Sequence, residues 1–318
     1  MKPDMTPRLF AVLIALISLG LVARPAQATP MYTVTDLRLP SGNGYLYPKG
    51  INSSGDVIGQ VGTTPYLYSG GQFTDVSSTG ANGLAINDSG QMTKGNDFAI
   101  NNAGQTLGFS SGPSPRNTVD GVAVDGGFWA INNAGVAVGE ATLSNGHNSG
   151  YAVPIVYSNG KTTQLPLLPG ATGAAAYAIN DRGQIVGGAM EGNSHPFLLD
   201  GNRLLDLGGS WGCALGINNS SQVVGLANID GSGQRPFLFQ DGKMLDLNGL
   251  LLPGSKWTLD SAVGINDAGQ IIGIGHHDGI YSGVLLTPIS TPEPGTLLIM
   301  ALGIAMFYTG AARRRSQS

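Results

Sequence analysis

The sequence predicts an all-β fold, and three observations lead to that expectation. Glycine accounts for 50 of the 318 residues, which indicates many turns. Charged residues make up only 11%, against about 25% in an ordinary soluble domain, while apolar residues at 42% are sufficient for a core of short strands and argue against disorder. The third observation is a hairpin pattern that recurs through the interior of the chain.

The recurring unit is a short apolar strand, a turn that begins with Asn, and a second apolar strand. Residues 178–187 show it as Ala-Ile-Asn-Asp-Arg-Gly-Gln-Ile-Val-Gly. Asn tolerates left-handed backbone and bonds its own main chain, and Gly at the end of the turn supplies a positive φ. Lys94 replaces the closing Gly of the second copy, and Ser221 replaces the turn Gly of the sixth. Seven copies are present, beginning at Gly50, Ala85, Ala99, Ala130, Ala178, Gly216 and Gly264.

A second pair of strands follows several copies. Residues 235–247 contain a strand Arg-Pro-Phe-Leu-Phe-Gln, an Asp-Gly turn and a strand Lys-Met-Leu-Asp-Leu, and residues 195–207 repeat this layout. Asp-Gly is a favoured two-residue hairpin turn. Each unit is therefore predicted to be four short antiparallel strands in roughly 35 to 48 residues, the size of one β-propeller blade.

The ends of the repeat region predict how the propeller closes. The last unit supplies three strands, and residues 32–37 have the pattern of a fourth strand, so the N-terminal strand is expected to complete the last blade and remove an exposed sheet edge. The copies at Ala85 and Ala99 are only 14 residues apart, and we count them as one irregular blade. This count predicts about six four-stranded blades, with five or seven as alternatives, and residues 110–127 as a long loop or a bulging strand.

The repeat pattern resembles a known family. Ile-Asn-x-x-Gly-Gln-x-Val-Gly, followed by Pro-Phe-Leu and Leu-x-Asp-Leu, is similar to the HAF family of extracellular repeats over most of residues 45–287. The His-Ala-Phe of that family is replaced here by His195-Pro196-Phe197 and by Arg235-Pro236-Phe237. The resemblance implies an extracellular repeat protein and brings no established activity with it.

The N-terminus has the features of a cleavable signal peptide. A charged region with Lys2 and Arg8 precedes an apolar run over residues 9–22, and Ala26-Gln27-Ala28 is the small-x-small pattern that signal peptidases accept. Residues 1–28 are therefore predicted to be removed and the chain to be exported. An uncleaved anchor is the alternative, but an apolar run of about 14 residues is short for a membrane span.

The C-terminus is predicted to contain a transmembrane helix. Residues 295–312 are mostly apolar and are followed by Arg313, Arg314 and Arg315. A run of 18 residues is just long enough to span a bilayer. Because positive charges stay in the cytoplasm, the bulk of the chain is expected on the other side of the membrane.

The same segment resembles the PEP-CTERM sorting signal of Gram-negative bacteria. Pro292-Glu293-Pro294, the apolar span and the arginine cluster occur in the order of that signal, over residues 292–318. The resemblance implies processing by a membrane-embedded exosortase, inner-membrane anchoring before delivery to the cell surface or medium, and association with exopolysaccharide or biofilm matrix. A plain C-terminal anchor is the alternative. The predicted organisation is a signal peptide at 1–28, a repeat domain at 29–288 and a sorting tail at 289–318.

No motif predicts catalysis, a cofactor or a metal site. His-Glu-x-x-His and Walker-type sequences are absent. His276 and His277 are neighbours, and neighbouring strand residues point to opposite faces. Residues 230–233, Asp-Gly-Ser-Gly, offer oxygens for calcium but lack the acidic ladder of an EF-hand loop. We therefore assign no catalytic, cofactor or metal residue.

The charge and the remaining polar residues are interpreted structurally. Residues 29–290 hold 10 Lys and Arg against 18 Asp and Glu, a net charge of −8, which argues against nucleic acid as a partner. Cys213 is the only cysteine, so no intramolecular disulfide is possible, and its apolar neighbours indicate a small buried side chain. Two sets of Asp are expected to form turns or to bond loop backbone. The first set is Asp88, Asp181 and Asp267, and the second is Asp206 and Asp246.

These features together predict an exported, non-catalytic protein of the cell surface or matrix that interacts with exopolysaccharide or envelope components. The alternative is a secreted glycan lyase or hydrolase, which would need carboxylates or His converging in one deep pocket. A purely structural matrix role is a third possibility. Seven aromatic residues could stack on sugars or fill strand cores: Tyr45, Tyr47, Tyr66, Tyr68, Trp129, Trp211 and Trp257.

Overall fold

The computed structural model describes residues 30–42, 44–111, 116–144, 150–190 and 194–289. Residues Tyr32–Pro288 form one structural unit, made of six four-stranded sheets and one two-stranded sheet. The predicted β-propeller with six four-stranded blades is confirmed. No helix in the described ranges is long and apolar enough to cross a membrane. The predicted signal peptide and transmembrane helix lie outside those ranges and stay predictions.

The strands follow the chain from blade to blade. Blade 1 contains β2 (Tyr47–Ile51), β3 (Val57–Val61), β4 (Thr64–Ser69) and β5 (Gln72–Asp75). A two-stranded sheet, here called the half-blade, contains β6 (Ala81–Ile86) and β7 (Met92–Lys94). Blade 2 contains β8 (Asp97–Ile100), β9 (Thr106–Phe109), β10 (Asn117–Val119) and β11 (Val122–Ala123). Blade 3 contains β12 (Gly127–Ile131), β13 (Ala137–Ser144), β14 (Gly150–Ser158) and β15 (Lys161–Gln164).

The second half of the ring is built in the same way. Blade 4 contains β16 (Gly173–Ile179), β17 (Ile185–Met190), β18 (His195–Asp200) and β19 (Arg203–Asp206). Blade 5 contains β20 (Ser210–Ile217), β21 (Val223–Asn228), β22 (Gln234–Gln240) and β23 (Lys243–Asp246). Blade 6 contains β24 (Thr258–Ile265), β25 (Ile271–His277), β26 (Ile280–Ile289) and β1 (Met31–Asp36). Two short 3₁₀ helices cover Ser77–Thr79 and Leu247–Leu250.

The copies at Ala85 and Ala99 do not share a blade, so that detail of the prediction was wrong. The copy at Ala85 forms the half-blade, and the copy at Ala99 begins blade 2. Residues 117–123, expected as loop or bulging strand, supply the two outer strands of blade 2. The half-blade stops at two strands because β8 begins only three residues after Lys94.

The N-terminal strand closes the ring, as the sequence predicts. β1 pairs with β26 and is the outer strand of blade 6. The Leu37 amide donates to the Gly283 carbonyl at 2.9 Å, and the Thr33 hydroxyl donates to the Thr287 carbonyl at 3.3 Å. A strand from one end of the repeat region thus completes the sheet at the other end.

The core lies between neighbouring sheets. Val224 and Leu238 of blade 5 pack with Leu259 and Ile271 of blade 6, and all four are almost completely buried. Similar clusters join blades 4 and 5 and blades 6 and 1. A four-stranded blade is too small to bury its own faces, so each sheet depends on its neighbours for its core.

The closing Gly of the repeat allows two strands to approach closely. In all six four-stranded blades the innermost strand carries a bulge opposite this glycine. In blade 4, a Cβ added at Gly187 would lie 1.9 Å from the Ala175 carbonyl oxygen, a contact that cannot be accommodated without moving the backbone. The second copy, with Lys94 at this position, forms the half-blade.

Replacing Tyr32 by Phe tests how the N-terminal strand is buried. The Tyr32 hydroxyl has no hydrogen-bond partner in the described structure, and burial raises the pKa of Tyr32 from 10.0 to about 12. The folded protein disfavours the phenolate. The contribution of Tyr32 to the free energy of unfolding is therefore fully present below pH 10.0 and is lost as the pH rises to about 12.

We expect Y32F to be at least as stable as the wild type at neutral pH. It should also lose less stability between pH 10 and about 12, measured by urea unfolding. An equal loss in both proteins over that interval would contradict the conclusion that the buried Tyr32 hydroxyl causes it.

Candidate functional site

The seven Asn turns meet on one side of the propeller, here called the turn face. Each turn Asn is buried, and its side-chain Nδ2 donates to the main-chain carbonyl of the corresponding Asn in the next unit, at 2.9 to 3.4 Å. The last bond, from Asn266 to Asn52 at 2.9 Å, closes the ring. The members in order are Asn52, Asn87, Asn101, Asn132, Asn180, Asn218 and Asn266.

Each ring carboxamide accepts from its own turn and donates to the next unit, and Asn180 shows the full set of bonds. Its Oδ1 accepts from the amides of Arg182 at 3.1 Å and Gln184 at 2.9 Å. Its Nδ2 donates to Gln184 Oε1 at 2.8 Å and to the Asn218 carbonyl at 2.9 Å. Two acceptor and two donor bonds are the complete inventory of this side chain. Asp has no donors and Ser is shorter, so Asn alone serves here.

A second set of bonds surrounds the first. In six of the seven units, the residue after the ring Asn accepts, through its Oδ1, the main-chain N–H of its counterpart in the preceding unit, at 2.7 to 2.9 Å. Asp88, Asp181 and Asp267, interpreted from sequence as turn formers, therefore connect units. The other three acceptors are Asn102, Asn133 and Asn219. Ser53 occupies this position in blade 1.

The turn face carries a small, open polar cavity on the propeller axis, about 170 Å³ in volume. Its charged lining residues are Asp88, Asp181 and Asp267, and each accepts one main-chain and at least one side-chain hydrogen bond. Partial burial alone would raise the pKa of Asp88, but bonds from the Ser53 amide, the Asn102 side chain and the Ser53 hydroxyl outweigh it and lower the pKa. A lowered pKa makes the Asp88 carboxylate a weak base, which fits a structural role.

The opposite side, here called the aromatic face, has a different chemistry. Strands that begin or end opposite the Asn turns carry one exposed aromatic side chain in each of five blades, with exposed fractions of 43% to 55%. Trp129, 49% exposed, lies further along the innermost strand of blade 3. The five aromatic residues of this face are Tyr47, Phe109, Tyr151, Trp211 and Tyr281.

Trp211 has an unusual backbone. Its φ is +51°, a left-handed conformation that is strained for a bulky residue. The neighbouring Gly212 amide donates to the Ser194 carbonyl at 2.9 Å, and the Gln234 side chain donates to the Trp211 carbonyl. The surrounding bonds thus hold an exposed indole in a conformation that the chain does not favour by itself.

The other aromatic residues noted in the sequence have different surroundings in the structure. Tyr66 and Tyr68 pack against the cluster between blades 6 and 1. Trp257 packs against the cluster between blades 5 and 6 and contacts His277, with ring centroids 4.5 Å apart. Tyr45 is half-buried beside Tyr47. All four are therefore half-buried, and three of them contribute to the packing between blades.

The titratable candidates lie apart. His276 bonds Asp260 at 2.8 Å, whereas His277 contacts Trp257, so the prediction that the two imidazoles face different surroundings is confirmed. His147 lies outside the described residues. Among those described, no group of three or more His, Cys, Asp or Glu is arranged to hold a metal ion. Burial raises the pKa of the half-buried Cys213 thiol.

The Asp residues of Leu-x-Asp-Leu bond loop backbone, as predicted. Asp206 accepts the Gly208 amide at 2.8 Å, and Asp246 accepts the Asn248 amide at 2.9 Å and caps the second 3₁₀ helix. Asp230 accepts from the Ser232 hydroxyl and amide, which lower the pKa of Asp230. Local hydrogen bonds therefore account for these carboxylates.

A family model described as the PEP-CTERM protein-sorting motif matches residues 290–315. The chain carries a PEP-CTERM sorting motif. The match spans Pro292, Glu293, Pro294 and the three arginines, and it confirms the resemblance seen in the sequence. The motif implies export, recognition by an exosortase and membrane-anchored processing at the C-terminus in a Gram-negative bacterium. The HAF resemblance and cleavage after Ala28 stay predictions.

The solved structures that match this chain show low sequence identity to it. An acylaminoacyl peptidase from Pyrococcus horikoshii matches 81% of the chain at 11% identity and TM-score 0.42, and this chain spans only 48% of it. A gluconolactonase from Xanthomonas campestris matches 82%, with 95% of its own length, at 11% identity and TM-score 0.43. The β-propeller domain of the Trilobed protease from Pyrococcus furiosus matches 77%, with 81% of its own length, at 7% identity and TM-score 0.42. No curated protein matches significantly.

Replacing Asn180 by Ala tests the ring. The change removes four hydrogen bonds and leaves buried main-chain groups without partners, so we expect the free energy of unfolding to fall by about 2–4 kcal/mol. Asn202→Ala, in the exposed turn between β18 and β19, is the control and should change little. Urea unfolding followed by tryptophan fluorescence measures both, and equal effects would contradict the ring's role.

Proposed function

We propose that this protein is a non-catalytic component of the cell surface or extracellular matrix whose aromatic face binds exopolysaccharide. The observation that carries the proposal is the placement of one exposed aromatic side chain on the same face of five blades. Aromatic rings present flat apolar surfaces with a polar edge, which suits the alternating apolar and hydroxyl faces of sugar rings.

Multivalency follows from the geometry of the propeller. The blades fix several aromatic residues on one rigid surface, and a polysaccharide offers many similar units along one chain. Linking weak contacts in this way raises the overall affinity far above that of one contact. The sorting motif supports this function, because export places the protein where exopolysaccharide occurs. In the proposed route the chain is first anchored in the inner membrane and then reaches the surface after exosortase processing.

The described polar groups support binding rather than glycan cleavage. The three carboxylates of the axial cavity each accept hydrogen bonds that hold the turns together. The His276–Asp260 and His195–Asp206 pairs belong to different blades and are each part-exposed. A deep pocket with converging acids and bases, which a lyase or hydrolase needs, is not formed by these described groups.

Binding to a broad glycan panel, with and without calcium, tests the proposal. The panel includes the exopolysaccharide of the producing cell, and the protein is the full chain in detergent. We expect saturable binding by the wild type. Trp211→Ala should weaken binding by about 2- to 10-fold, because one stacking contact is lost. The double variant with Tyr151→Ala should lose more than either single variant.

Val122→Ala is the matched control. Val122 is 63% exposed but begins β11, at the hairpin on the turn-face side of blade 2. Its truncation should leave binding unchanged. Absence of saturable binding to any glycan, or an equal loss in V122A, would overturn the proposal.

A further inference from the structure

A groove on the aromatic face combines two tyrosines with a lysine. It is bounded by Tyr45, Tyr47, Lys49, Gln60 and Val61. Its volume is about 500 Å³, within the range of small-molecule sites. Lys49 Nζ lies 4.5 Å from the centroid of the Tyr47 ring, so the cation stands over an aromatic surface.

The backbone that carries the tyrosines is fixed from below. Leu46, between Tyr45 and Tyr47, is fully buried, and its amide donates to the Leu37 carbonyl at 2.8 Å. A Cβ added at Gly283 would lie 2.0 Å from the Leu46 carbonyl oxygen, so β26 packs directly against this segment. Alternate residues of an extended chain point to the same side. Burial of Leu46 therefore directs Tyr45 and Tyr47 together to the surface.

The other wall is also held in place. Gln60 is the cross-strand partner of Tyr47, and its Nε2 donates to the Asn82 carbonyl of the half-blade at 2.8 Å. Lys49 is the bulged residue of β2 and is exposed. The groove is thus formed before any ligand arrives, which reduces the entropy lost on binding.

Lys49 gives the groove a local positive charge on an acidic protein. The full chain has a net charge of −4. The nearby Arg38 guanidinium lies 3.8 Å from an Asp36 carboxylate oxygen and donates to the Tyr281 carbonyl. Lys49 forms no ion pair within the described part of the chain. Its ammonium group is therefore available to an anionic ligand.

We infer that this groove binds a carboxylate-bearing sugar unit, a uronic acid, of an acidic polysaccharide. On binding, the Lys49 ammonium turns from the Tyr47 ring to pair with the carboxylate, and the apolar face of the sugar ring takes its place against Tyr47. This assignment rests on the proposed function and specifies the ligand class of one site. It also gives the acidic protein a means of selecting an anionic polymer. Salt screens the long-range repulsion between the protein and the polymer, so the short-range charge-assisted bond to Lys49 is the stronger effect.

Calorimetric titration of the full chain with oligogalacturonate and with a neutral galactose oligomer of equal length tests the inference. The wild type should bind the acidic oligomer more tightly. Lys49→Met keeps most of the apolar stem but removes the charge, and it should weaken binding of the acidic oligomer by roughly 10- to 100-fold while leaving the neutral oligomer unaffected. Lys49→Arg should retain most of the preference, and Tyr47→Ala should weaken both ligands.

Lys161→Met is the control, because Lys161 is exposed at the start of β15, beside a hairpin on the turn face. It should bind both oligomers as the wild type does. Equal affinity of the wild type for the two oligomers, or an unchanged K49M, would overturn the groove assignment while leaving glycan binding intact. No binding to either oligomer or to the wider glycan panel would overturn both proposals.

Discussion

The hydrogen bond from each repeat Asn side chain to the next turn's carbonyl determines how the units of this propeller are arranged. Seven such bonds form a closed ring. Each turn is therefore held by the side chain of its own Asn and by the Asn side chain of the preceding unit. The same side chain orders the turn locally and joins two sheets. Because it is buried, loss of either role leaves polar groups unsatisfied. The spacing of the innermost strands, and hence the packing between blades, depends on this bond.

Much of the architecture can be predicted from local patterns. Such patterns include the alternating apolar strands and the Asp241-Gly242 turn, whose φ values are both positive. They also include the sequence of the N-terminal strand, which has the pattern of the fourth strand that the last blade lacks. The ring could not be predicted, because it depends on contacts between residues about 14 to 48 positions apart, and 214 apart at the closure. An Asn that caps its own turn and one that also reaches the next sheet have the same sequence pattern. The closing Gly was likewise not predictable as a packing position, because it lies opposite a bulge on another strand.

The half-blade shows why spacing misled the sequence interpretation. Two Asn turns only 14 residues apart were expected to share a blade, yet each provides a full member of the ring. The ring needs only the turn and its two flanking strands. Thr93 and Asn82 supply side-chain bonds within the half-blade, where strand pairing is irregular. The outer strands are therefore optional for ring membership. The groove beside Tyr47 could not be predicted from the sequence either, because Tyr45 and Gln60 come from different elements.

The ring separates the requirements of the two faces. Turn residues are committed to joining the units, whereas the opposite strand ends are free to carry the aromatic residues of the binding surface. The most direct test of this account is hydrogen exchange of the seven ring Asn side-chain amides, measured by NMR against the exposed Asn202. The account predicts strong protection at all seven positions, including Asn87 and Asn101 beside the half-blade. Exchange of those two amides as fast as that of Asn202 would contradict a closed ring.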